Sequence, residues 1–202
     1  MSSLRLPATD HTHRAWRVHE IAGDFRLEDV WMIPTPGGPD DLHHLVEQIA
    51  ADGDEKPTGA DAVGRFLFAV RWKLGALLGW DGPESGVGDR VATLRDRLPD
   101  DLREGSRGPD SAPFTSIFQT HDEWAAEYAN KTMHGVMHIG WVPDGHGGYR
   151  GQMAVLVRPN GRLGSLYMLG IKPFRYLGVY PALMRQAGRE WRQNETRRRA
   201  AH

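Results

Sequence analysis

The stretch HGVMHIGWVPDGHGGYRGQMAVLV, residues 134–157, limits the fold more than any other part of the chain. Two runs rich in β-branched, aromatic and methionine residues flank the turn-forming PDGHGG. That grammar predicts an antiparallel hairpin. Gly135 and Gly140 argue against a helix here, since each costs a helix about 1 kcal/mol relative to alanine. The distinction decides chemistry. On a helix, His134 and His138 would stand one turn apart and could clamp a metal ion. On a strand, they stand roughly 13 Å apart and cannot share one ion unaided. The strand reading therefore predicts no metal here. Pairing Val142 with Tyr149 would place His134, His138, Tyr149 and Met153 on one inward face. A slip of one residue would reverse that assignment, so the register stays open.

Around the hairpin, AWRVHEI (15–21) and LEDVWMI (27–33) read as strands, with Leu27, Asp29, Trp31 and Ile33 sharing one face of the second. DDLHHLVEQIA (40–50) has the apolar stripe of a helix, and DAVGRFLFAVRWKLGALLGW (61–80) has the strongest helical period in the chain. Residues 81–113 are polar and rich in Gly and Pro, which predicts a surface excursion with room for a short helix near 91–97. FTSIFQ (114–119) reads as a strand. THDEWAAEYAN (120–130) opens like a capping box, Thr120 with Glu123, and predicts a short helix or turn. Residues 163–193 predict a long C-terminal helix, kinked or restarted at Pro173 and Pro181. A flexible lead-in (1–13) and a solvated basic tail (194–202) complete one domain spanning 1–202.

Composition removes several function classes. The net charge of −1 gives no basic face for nucleic acid. The absence of cysteine removes disulfides, thiol nucleophiles and thiolate metal sites. No signal peptide or membrane-spanning run is visible, which predicts a cytoplasmic protein. There is no Walker loop, dinucleotide fingerprint or nucleophile elbow, so no cofactor is expected. HTH (11–13), HH (43–44) and HDE (121–123) read as surface residues, not as ligands. Asp29 is either a buried acid suited to proton transfer, or a residue of an edge strand or the salt-bridge partner of Arg17. Seven tryptophans and seven methionines supply core, and the same wide, soft side chains line apolar pockets.

RAWRVHEIAGDFRLEDVWMIPTPGGPDD, FAVRWKLGALLGWD, the hairpin and IKPFRYLGVYPALMRQ together resemble a bacterial family of unknown function, number 2867, over roughly residues 4–193. The resemblance implies the START-like, SRPBCC type of α+β fold, the helix-grip, in which a curved antiparallel sheet wraps a long C-terminal helix. It implies a cavity between sheet and helix. Related members carry short-chain-dehydrogenase-like domains, and the wider superfamily includes lipid carriers and polyketide cyclases; no catalytic set is shared.

Three readings follow. The first is a non-enzymatic protein that binds a small hydrophobic or aromatic molecule in that cavity, near Trp31, His134, His138, Tyr149, Met153 and Phe174. No metal, nucleic acid or membrane span is expected. The second is a cyclase- or aromatase-like enzyme in which a histidine or Asp29 moves protons. The third is an interaction module for a separate reductase.

Overall fold

The computed structural model describes residues 4–54, 86–88, 91–130, 133–160 and 180–200. Strands β1 (Arg5–Leu6), β2 (Arg26–Gly37), β3 (Thr115–Gln119), β4 (Glu123–Ala129), β5 (Met133–Pro143) and β6 (Tyr149–Pro159) form one antiparallel sheet in the order β1-β2-β6-β5-β4-β3. Helices α1 (Thr9–Thr12), α2 (Val18–Ile21), α3 (Leu42–Asp54), α4 (Asp100–Glu104) and α5 (Tyr180–Ala200) lie among them, with a 3-10 turn at Leu94–Arg97. The architecture is α+β, and α5 packs against β2.

Helices cover both faces of the sheet. One face buries Val136, Ala154 and Leu156 under Trp16, Val18 and Ile21 from the N-terminal segment and under Leu94, Leu98 and Leu102. The other buries Trp31, Ile139 and Met153 under Leu42, Leu45 and Val46 of α3 and Met184 and Trp191 of α5. Alternation along β2, β5 and β6 divides the apolar residues between the two layers.

The hairpin is present, but its register is one residue away from the pairing set out above. Pro143 pairs with Tyr149, so His138 stands opposite Ala154 and His134 opposite Arg158. The loop explains the shift. Asp144 N–H donates to Gly148 O at 2.9 Å, and Asp144 Oδ1 accepts from the amides of His146 and Gly148. Gly145 and Gly147 take φ of 83° and 89°. These left-handed positions suit glycine and close the loop one residue shorter. The histidines thus lie on the face opposite to Tyr149 and Met153.

Five other expectations change. Residues 15–21 contain a helix: Val18, Ile21 and Ala22 are all buried, which is helical and not alternating spacing. Residues 123–129 form β4, because pairing on both sides with β3 and β5 outweighs the helix preference of an alanine-rich run. A register shift between Leu27 and Asp29 turns β2, so Leu27 packs with the first layer and Trp31 with the second. Leu94, Leu98 and Leu102 are buried, so this part of 81–113 belongs to the core; full burial of one such leucine contributes about 1.5–3 kcal/mol. In the lead-in, His11 is completely buried.

Pro181 is the second described residue of α5. The helix continues past Gln193 through the basic tail, and the Arg198 guanidinium lies 4.7 Å from the Trp191 ring centroid. The helical run at 61–80 and the predicted break at Pro173 lie outside the described residues. Among the described residues, no helix is long and apolar enough to cross a membrane.

Candidate functional site

β4 and β5 carry two copies of one arrangement. Ala125 pairs with His138 and Ala129 with His134, which sets Glu123 and Glu127 diagonally across from the histidines on the same face. His138 Nε2 lies 3.0 Å from Glu123 Oε2, and His134 Nε2 lies 2.8 Å from Glu127 Oε2. All four side chains are at most 2% exposed. Buried charge at such positions is costly unless it is paired and hydrogen-bonded. Both carboxylates meet that condition with backbone donors.

The two pairs differ in what surrounds them. Glu127 accepts from the Leu94 amide at 3.1 Å and from the Thr93 hydroxyl, so it fastens the 3-10 turn to the sheet. Thr93 in turn caps that turn, its Oγ1 accepting from Arg95 N at 3.2 Å. The His134 ring meets the edge of Phe25, and its Nδ1 has no partner among the described residues. This pair is closed in by neighbours.

Glu123 and His138 instead begin a chain. The Glu123 carboxylate accepts from the amides of Arg17 (2.7 Å) and Val18 (3.2 Å). On its other side, His138 Nδ1 lies 3.1 Å from His11 Nε2, and His11 Nδ1 lies 3.2 Å from His19 Nε2. Three imidazoles and one carboxylate therefore run head to tail from the sheet, through α1, to the half-buried His19 on α2. Trp16 packs beside His138, with ring centroids 5.0 Å apart, and lies against Gly140, where any Cβ would come within 2.7 Å of the indole. Gln152 Nε2 donates to Asp10 O at 3.4 Å and holds α1 in place.

Burial pushes the His11 imidazole down to about 3, with charge on His138 and His19 adding to the effect. Burial also lowers His19, as does charge on His138, while Glu123 opposes the shift. Arg17 is held by Glu20 and Asp101, not by Asp29.

The opposite face holds the rest of the expected pocket. Trp31 and Met153 are buried there, paired across β2 and β6, and Tyr149 is half-buried. The Trp31 ring lies 5.6 Å from Tyr180 of α5. Trp191 Nε1 donates to Pro36 O at 2.8 Å and Trp141 Nε1 to Gly38 O at 2.7 Å. Trp31 Nε1, equally buried, has no acceptor among the described residues. Phe174 lies outside the described residues. The six residues singled out from the sequence are thus divided. Trp31, Tyr149 and Met153 gather beneath α3 and α5, while His134 and His138 lie behind the sheet.

Sequence reasoning missed Glu123, Glu127, His11 and His19. The signal for the acids was present: Glu123 and Glu127 share the spacing of His134 and His138, which matches diagonal pairing on antiparallel strands. Reading 120–130 as a short helix or turn hid it. His43 and His121 are exposed, as the sequence suggested. Among the described residues, no group of three His, Cys, Asp or Glu side chains has metal-binding geometry; the histidine chain is linear, not convergent.

A family model described as a protein of unknown function (DUF2867) matches residues 21–182. No curated protein and no solved structure matches the chain significantly.

Proposed function

Taking as its premise that the chain belongs to the DUF2867 family, we propose that this protein is a START-like, helix-grip binder of a small apolar or aromatic molecule, held between the sheet and α5. An antiparallel sheet with a C-terminal helix across β2 supports the reading. The observation that carries it is the Trp31 indole. Its N–H is buried, without an acceptor among the described residues, in a layer of Met137, Tyr149, Met153 and Tyr180. A buried donor left unpaired costs about 1–3 kcal/mol, and a ligand oxygen would recover that. Soft side chains around one polar anchor are the usual lining of an apolar ligand site.

The cyclase-like alternative rests on Asp29 alone, buried on β2 opposite Val155, since neither His134 nor His138 faces this layer. The interaction-module alternative is separated by experiment. Native mass spectrometry of protein purified from its own host, gently and then with denaturing release, reads the ligand directly. The binding reading expects a co-purified small molecule that leaves on denaturation. It also expects the Trp31→Phe variant to bind that molecule about fivefold more weakly, for the loss of about 1 kcal/mol. A clean apo mass, with no shift against a panel of aromatic and aliphatic compounds, would overturn it in favour of the interaction module.

A further inference from the structure

The chain of imidazoles behind the sheet is independent of the site under α5 and poses its own question: how many protons can it hold? A carboxylate only accepts, and a neutral imidazole has one donor and one acceptor nitrogen. Each of the three contacts, Glu123–His138, His138–His11 and His11–His19, needs one proton between its two atoms. Three neutral rings supply three. With Glu123 ionised, His138 must donate from Nε2, so its Nδ1 must accept from His11 Nε2. His11 Nδ1 must then accept from His19 Nε2. Every ring is the Nε2–H tautomer, and the unfilled position is Nδ1 of His19, the half-buried end. A fourth proton has one place to enter. A fifth would force two N–H groups to face each other within about 3 Å.

We propose that Glu123, His138, His11 and His19 form a one-proton relay, a Brønsted acid–base site whose open end is Nδ1 of His19 and whose substrate class is small weak acids able to reach α2. In the uptake step an N–H bond forms at His19 Nδ1, and the acid's own bond to that proton breaks, leaving its electron pair on the conjugate base. The His19 Nε2 proton passes to His11 Nδ1, and the His11 Nε2 proton passes to His138 Nδ1. No other bond changes. The charge ends on His138, beside the Glu123 carboxylate, while His11 and His19 become neutral Nδ1–H tautomers. Charge on His138 then repels a second proton from both rings, the direction in which both are shifted.

The remaining charges near the relay are compatible with a neutral resting state. Asp10 on α1 and Arg14 after it oppose each other, and both act on Arg150 of β6. Arg14 also lies over Trp16. On α2, Arg17 is neutralised by Glu20 and by Asp101 of α4.

Long-range proton–nitrogen NMR correlation of the 15N-labelled full chain tests the proposal, because it distinguishes both tautomers from imidazolium. At neutral pH the relay expects Nε2–H at His11, His19 and His138. On acidification it expects His138 to become imidazolium while His11 and His19 switch tautomer together at one midpoint. The His11→Phe variant should lose the switch at His19, which then titrates alone as an imidazolium. Glu123→Gln should leave the charge on His19. Should either variant fail to fold, the wild-type titration decides by itself. His19 becoming imidazolium while His11 keeps its tautomer would overturn the relay, leaving three ordinary core histidines.

Discussion

Glu123 and His138 meet diagonally across β4 and β5, and Glu127 with His134 repeats the meeting four residues farther along both strands. One repeat closes on itself and the other continues outward. The difference comes from what each glutamate finds above it: the start of the 3-10 turn for Glu127, the start of α2 for Glu123.

The closed pair predicts a structural cost. Glu127→Ala strands three partners at once, the Leu94 amide, the Thr93 hydroxyl and His134. Losing one side of such a buried pair costs about 3–5 kcal/mol. Urea denaturation should show that loss. Amide exchange should speed up first at Leu94 and its neighbours, where the 3-10 turn is fastened. Unchanged protection at Leu94 would mean that Leu98 and Leu102 hold the segment without the carboxylate.

Acid should weaken the fold well before the carboxylates titrate. His11 is held at about 3 in the folded chain, against an ordinary value of 6.5. Between those values the unfolded chain binds a proton there that the folded chain refuses. Stability therefore rises with pH across this window and is lost as pH falls through it. His19 is shifted the same way and adds to the slope. Thermal melts should fall steadily from near pH 6.5 downward, and His11→Phe should flatten the dependence. A melting temperature constant down to pH 4 would contradict the assignment of His11 as a buried neutral ring.

The packing of Trp16 offers a sharper probe. Gly140 leaves room for the indole, and an alanine Cβ would lie 2.7 Å from two of its ring carbons. Gly140→Ala should displace Trp16 from His138 and cost about 1–3 kcal/mol by overpacking. The readout is a red shift of tryptophan emission as the ring moves toward water. An unshifted spectrum with full stability would show that the N-terminal segment adapts without leaving the sheet.

The strand character of 133–159 was legible in the sequence because alternation and a Gly-rich turn both pointed the same way. Register was not legible, since Asp144 and two left-handed glycines set it through hydrogen bonds that composition does not encode. β4 was misread for a related reason. Thr120 does accept from the Glu123 amide, at 3.1 Å, as a helix cap would, but here it closes the turn between β3 and β4. The candidate site suffered most. His11 looks like a surface residue and His19 like part of a strand until α1 and α2 fold them onto β5, a long-range event with no local signature.

Gly188 supplies the last prediction. A glycine inside α5 costs that helix about 1 kcal/mol relative to alanine, so helix propensity alone favours Gly188→Ala. The contact with β2 opposes it. A Cβ at Gly188 would stand 2.5 Å from Pro34 Cγ and 2.9 Å from the Pro34 carbonyl oxygen. Backbone cannot yield as a flexible side chain does, so α5 must lift away and loosen Trp191, whose indole donates to Pro36 O. Overpacking of about 1–3 kcal/mol then exceeds the propensity gain. Gly188→Ala should lower the melting temperature with helix content unchanged by circular dichroism. A raised melting temperature would mean that α5 does not rest on Pro34, and the apolar layer beneath that helix would have to be redrawn.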